Sequence, residues 1–346
     1  MFSSSDLGSL LYKLIIYGTG FILGAFGGMF SECSGIINIA LEGSMVIGAF
    51  SGLIFLYGMS TTTYVTGLAA TLAANDPSFN LRFQIDMLFL AAALIAIVVS
   101  ILFSFLLSFV SIKFKADQTI VGTALNMVAL AACAIVNTSA TQIDSAEVTN
   151  GPYAAFYVVN SNQGFVGNAF SSMTIGVFLG IIAVIILWLL MDRTRFGLRL
   201  RACGENPAAA DSVGVNVNKM RYIGTAIGSG AAGLGGFIIF SSLNISNKWT
   251  IDALGYGFLV LAVEILGNWK TIPIVLAALF FAFSFSFGNV FQAVLSLDAN
   301  TPKVFYTNRA FFAMIPYVLA FLTLIFFSKH SHAPKAEGIP YSKDSR

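Results

Sequence analysis

Residues 87–111 read MLFLAAALIAIVVSILFSFLLSFVS, with no charged side chain between Asp86 and Lys113. About 20 residues of α-helix cross the hydrocarbon of a bilayer, so this run is long enough to span it. The apolar residues show no period that would choose helix over strand. Length decides instead, because outer-membrane strands are short alternating segments and this run is continuous. Further apolar segments lie at about 10–30, 36–58, 62–74, 118–138, 171–191, 222–243, 256–267, 271–290 and 307–328. The chain therefore reads as an all-α integral membrane protein with about ten transmembrane or partly spanning helices. Segments 62–74 and 256–267 reach only roughly 20 Å at 1.5 Å per residue and are expected to be tilted, re-entrant or buried by neighbours. Segment 36–58 is interrupted at Glu42 and Gly43.

Composition agrees. Of 346 residues, 57% are hydrophobic and 10% charged, against about 25% charge in an ordinary soluble domain. A soluble fold of this size cannot hide so much apolar surface. The 33 phenylalanines suit lipid contact, and the 32 glycines let helices approach closely. Cys33, Cys133 and Cys203 have neither zinc nor disulfide spacing and read as small apolar fillers. Residues 1–9 lack a basic leader and a cleavage pattern, so the first apolar stretch is expected to be a retained span.

Charge sets the expected orientation. The 192–221 connector carries Arg193, Arg195, Arg199, Arg201, Lys219 and Arg221 against Asp192, Glu205 and Asp211, a formal +3. The positive-inside rule makes it cytoplasmic. The 112–117 turn with Lys113 and Lys115 then falls inside, and so does the tail. The polar 139–170 stretch, without Lys or Arg, falls outside as a cap or a loose loop. Both termini are cytoplasmic on this map. Residues 1–328 form one transmembrane domain with a cytoplasmic coupling loop at 192–221, and 329–346 form a cytoplasmic tail.

Within the connector, Asn206 is a plausible N-cap with Pro207 at the first helical position, and Gly214 can end the turn that Ala208 to Val213 continue. A short capped helix between two basic flanks can dock on a cytoplasmic partner, or simply lie on the surface. A second feature is Ser31–Gly43, SECSGIINIALEG. A helix would set Asn38 and Glu42 on one side, where the amide can hydrogen-bond the carboxylate. Gly35 and Gly43 permit a broken helix, of the kind that lines cavities in membranes. A structural clamp between helices is the alternative. Asn126 is the mid-helix residue most suited to face a cavity, or else a buried amide bonding a neighbour. Phe26 and Phe30 are candidate pore-lining residues. Glu264 is expected to pair with Lys270 or another base. Glycines 228, 230, 233, 235 and 236 form a packing seam, not a nucleotide loop. No Gly-x-x-x-x-Gly-Lys-Ser/Thr sequence occurs, and His330 and His332 lie in the polar tail. No catalytic or metal-binding set is expected in this chain.

The stretch from Gly197 to Val215, with Tyr222 and the 228–236 glycines, resembles bacterial ABC-importer permeases of the ribose and branched-chain amino-acid superfamily. Ser34–Gly43 does too. Gly257–Trp269 and Gly338–Tyr341 are similar to the shorter permease of nucleoside importers served by a basic membrane lipoprotein-type receptor. The resemblance implies a multi-pass permease of the bacterial cytoplasmic membrane that forms half of a nucleoside path. It implies ATPase coupling through Gly204, Glu205, Asn206, Pro207, Ala208, Ala209, Asp211 and Val213. Asn38 and Glu42 match the asparagine and glutamate of the family's amino-terminal motif. Implied partners are a second, non-identical permease, a cytoplasmic ABC ATPase holding ATP and Mg, and an external lipid-anchored solute receptor. No cofactor is implied in this chain, and no nucleic acid. Glu264, where relatives often carry a small apolar residue, and the long polar insertion at Asn75–Arg82 depart from the pattern. An ion-coupled secondary transporter is the competing reading, motivated by Glu42 and Glu264. An ABC permease for a sugar or another small solute is a further one.

Overall fold

The computed structural model describes residues 4–60, 79–136, 175–243, 255–297, 309–327 and 332–341. Among them there is no strand. Eleven helices follow in order: α1 Ser4–Glu32, α2 Leu41–Ser60, α3 Phe79–Lys113, α4 Gln118–Val136, α5 Ile175–Arg193, α6 Arg195–Glu205, α7 Pro207–Ser212, α8 Val217–Leu243, α9 Tyr256–Leu266, α10 Thr271–Leu297 and α11 Arg309–Phe327. Six helices are long and apolar enough to cross a membrane: α1, α3, α4, α5, α8 and α10. Segments 62–74 and 139–170 lie outside the described residues. Every other apolar segment of the sequence carries a helix.

α1 and α8 form the inside of the bundle. In α1, 89% of the apolar window is buried, and in α8 78%, against 28% in α4 and α5. The cause lies in the side chains. α4 turns Ile120, Met127 and Val128 outward, and α5 turns out Phe178, Ile182 and Ile186, apolar surfaces suited to lipid or to a neighbouring membrane helix. α1 instead encloses Ile16, Phe21, Phe26 and Phe30 completely.

The glycine seam of α8 explains how one helix can touch several others. α1 packs along it, with Gly228 set against the backbone of Gly27 and Gly235 against that of Gly20. Gly236 lies on the backbone of Met45 in α2, and Gly233 on Ser100 in α3. A Cβ at Gly235 would sit 2.7 Å from the Gly20 carbonyl, closer than real Cβ atoms come. The small residues thus allow backbone contact, which replaces the hydrophobic drive missing in lipid. Hydroxyls add polar stitches: Ser100 donates to the Ser44 carbonyl at 2.9 Å, and Ser108 meets Thr225.

Candidate functional site

The chain does not run helically from Ile36 to Gly58. α1 ends at Glu32, residues 33–40 are unwound, and α2 begins at Leu41. Gly35 makes the break, with φ of 97°, a left-handed value that any side chain would strain. The interruption expected at Glu42 and Gly43 therefore falls earlier. Asn38 lies in the unwound stretch, so the helical i, i+4 pairing with Glu42 does not form. The Asn38 side chain is fully buried, and neither of its polar atoms has a hydrogen-bond partner among the described residues.

Both ends of the break are held by residues from other helices. The first N–H groups of α2 have no partner within their own helix. Asn126 of α4 supplies one, because Gly43 N–H donates to its Oδ1 at 2.8 Å. The Asn126 amide in turn donates to the Ile39 carbonyl at 2.9 Å. Gln118 accepts from the Ile37 N–H at 2.7 Å. Glu42, 5% exposed, does the same service for another helix: its carboxylate accepts from the Gly257 N–H in the first turn of α9. An anion at a helix N-terminus is favoured by the unpaired N–H groups and by the dipole. α9 itself starts abruptly after Gly255, φ 71°. The short helix is thus anchored by α2, and α2 by α4.

Phe26 and Phe30 have no exposed surface, being enclosed among α1's neighbours. Glu264 does not reach Lys270, which is exposed. It is fully buried on α9, and neither of its carboxyl oxygens has a hydrogen-bond partner among the described residues, while the Glu32 carboxylate accepts from Trp269 Nε1 at 2.6 Å.

The connector folds as two helices. Thr194 caps α6, its hydroxyl accepting from the Gly197 N–H at 3.4 Å. Asn206 ends α6 and starts α7, its side chain accepting from the Ala209 N–H at 3.1 Å, with Pro207 at the first position. Gly214, φ 86°, follows the C-cap Val213. The cap chemistry read from the sequence is the geometry found. Glu205, Asn206, Ala208, Ala209 and Val213 are exposed, and Val213 shows 79% of its surface. Asp192 pairs with Arg201 and accepts from the Thr271 hydroxyl at 2.6 Å, tying the connector to α10.

Two features of this region escape a reading by charge and composition. Arg221, counted as one of the cytoplasmic positive charges, is only 2% exposed. Its guanidinium lies on Gly35 and donates to the Ile339 carbonyl at 2.9 Å. The tail, read as a polar extension, folds back at 332–341. Ala336 N–H donates to the Gly204 carbonyl at 2.8 Å, Gly338 N–H to the Gly35 carbonyl at 3.3 Å, and His332 N–H to Asn268 Oδ1 at 2.7 Å. Burial, and then the neighbouring Glu32, push the Glu337 carboxyl up to about 8. Burial also pushes the Cys203 thiol up to about 11, leaving it unreactive. The tail's glycine and proline, at 338 and 340, were the visible signal of a turn.

Residues 10–327 match the family model described as branched-chain amino acid transport system / permease component. The chain is 35% identical to the guanosine ABC transporter permease protein NupQ of Bacillus subtilis, over 96% of each chain. It is 31% identical to the nucleoside ABC transporter permease protein NupC of Lactococcus lactis, again over 96% of each. A shorter match, 29% over 32% of this chain and 31% of the relative, is to the guanosine ABC transporter permease protein NupP of Bacillus subtilis. No solved structure matches the chain significantly. With a family match across most of its length and a near full-length relative above 30% identity, this chain belongs to the branched-chain amino acid transport system permease component family.

Proposed function

We propose that this protein is the membrane permease of a bacterial ABC importer for nucleosides, lying in the cytoplasmic membrane. The observation that carries the reading is the near full-length similarity to two nucleoside permeases, over 96% of this chain in each case. The finer organisation belongs to the proposal as well. Ten crossings with both termini in the cytoplasm fit the charge map. Residues 1–328 act as one membrane domain, with 329–346 as a cytoplasmic tail.

The connector helix α7, with Gly204, Glu205, Asn206, Pro207, Ala208, Ala209, Asp211 and Val213, is proposed to dock on a cytoplasmic ATPase that holds ATP and Mg. Its support is an apolar side chain, Val213, left bare beside charged residues outside the bilayer. The second half of the path is a non-identical permease. Bacillus subtilis has two guanosine permease proteins, NupQ and NupP, and this chain matches both. A lipid-anchored receptor delivers solute from outside. ATP binding closes the ATPase, α7 carries the movement inward, and the cavity between permeases changes the side it faces. That requires the nucleotide states to favour different conformations.

The test is uptake of competing nucleosides by the complete complex in proteoliposomes, with and without ATP. ATP-dependent nucleoside uptake is expected. Uptake driven by an ion gradient without ATPase subunits would refute the reading in favour of a secondary transporter. Glu205→Arg is expected to keep the permease inserted but separate ATP hydrolysis from uptake.

A further inference from the structure

We infer that the tail segment His332–Tyr341 is a coupling strap, a positioning element that ties the α6–α7 joint to the break between α1 and α2. The inference rests on the proposed role of α7. Gly204 sits two residues before the single cap, Asn206, that separates α6 from α7. Its Cα lies so close to the Cys33 backbone that a Cβ would be 2.9 Å from the Cys33 carbonyl carbon. The joint therefore bears directly on the unwound stretch, and the strap grips both sides of that contact. Ala336 holds the Gly204 carbonyl, one of the last carbonyls of α6, which would otherwise lack a partner. Gly338 holds the carbonyl of Gly35, the residue on which the break turns.

Arg221 closes the clamp from α8. Its guanidinium lies on Gly35, 2.8 Å from where a Cβ would be, and its bond to Ile339 reaches the strap. A buried guanidinium bonded to a neutral carbonyl is an expensive way to fill space, and an apolar side chain would fill it more cheaply. The cost makes sense if the fork fixes two stretches of backbone, at Gly35 and Ile339, in one geometry. From Gly35 the connection continues without a gap. The unwound stretch leads into α2, and Glu42 of α2 holds the first turn of α9. A push on α7 thus meets rigid backbone contacts as far as the two short helices, and the strap prevents the joint from yielding instead.

The experiment measures nucleoside molecules taken up per ATP hydrolysed by the full complex in proteoliposomes. Arg221→Lys keeps the charge and loses the fork. Gly338→Ala strains a residue at φ 74° and drives a methyl to 2.8 Å from Ile37 Cδ1. Each variant should lower the ratio about fivefold or more while the amount of assembled complex stays at the wild-type level. Glu205→Arg runs beside them. If it uncouples and both strap variants keep the wild-type ratio, the strap inference is overturned and the role of α7 stands. If none of the three changes the ratio, both fail. Variants that insert normally yet no longer assemble, with an unchanged ratio in the residual complex, would also overturn it, because that is the signature of a purely structural segment.

Discussion

Replacing Asn126 separates two roles for this residue. In the structure its amide caps α2 from the neighbouring helix, with bonds of 2.8 Å to the Gly43 N–H and 2.9 Å to the Ile39 carbonyl. Asn126→Ala leaves both backbone groups without partners inside the protein. Each such group costs about 1–3 kcal/mol in a soluble core, which would total about 2–6 kcal/mol. In membranes a side-chain hydrogen bond is worth less, averaging about 0.6 and reaching about 1.7 kcal/mol, because the unfolded state in lipid also finds partners. The expected loss is therefore about 1–3 kcal/mol. Thermal unfolding of the purified permease in detergent reads it directly. Asn126→Asp is the informative companion, since a carboxylate can accept from Gly43 but only a protonated carboxyl can also donate to Ile39. Its stability should therefore be recovered as the pH falls. If Asn126→Ala unfolds like the wild type while solute competition in uptake changes, the side chain serves the pore and the cap reading is wrong.

Other expectations follow from the same geometry. Glu42→Gln keeps an acceptor for Gly257 and should stay within about 1 kcal/mol of wild type, whereas Glu42→Ala should lose about 1–2 kcal/mol in the same melting assay. Gly228→Val puts a side chain onto the Gly27 carbonyl, and overpacking of this kind should cost about 1–3 kcal/mol and lower the yield of folded permease. The Glu337 carboxyl titrates near 8 in the folded protein, above its ordinary 4.5, so the folded strap holds the proton more tightly. Its docking is then firmest below about 4.5 and weakens as the pH rises through about 8. Hydrogen exchange at Ala336 and Gly338, corrected for intrinsic rate, should rise across that range and be flat in Glu337→Gln. An unchanged pH response in that variant would assign the effect to Glu32, Glu264 or another neighbour.

Local chemistry was legible wherever the chain speaks to its immediate neighbours. Asn206, Pro207 and Gly214 announce a helix start and stop within nine residues, and α7 forms between them. The positions of Gly35 and Gly43 suggested a break in the second segment. The structure moves that break to 33–40, because Gly35 alone takes the left-handed turn. The glycines of 228–236 are used as the packing seam their size suggested.

The sequence by itself determined that this is a helical membrane protein, that the chain is interrupted near Gly35 to Gly43, and that a capped helix lies in the basic connector. Those follow from the cost of polar groups in lipid and from turn chemistry that acts over a few residues. Only the tertiary structure decided the partners of the buried polar groups. Glu42 meets a backbone 215 residues away, Gly43 an amide 83 away, and Arg221 a carbonyl 118 away in a tail that the sequence presents as a polar extension. A buried polar side chain states that it needs a partner. Which one it finds depends on which helices pack side by side, and that is fixed by the shape of whole surfaces, not by any local pattern.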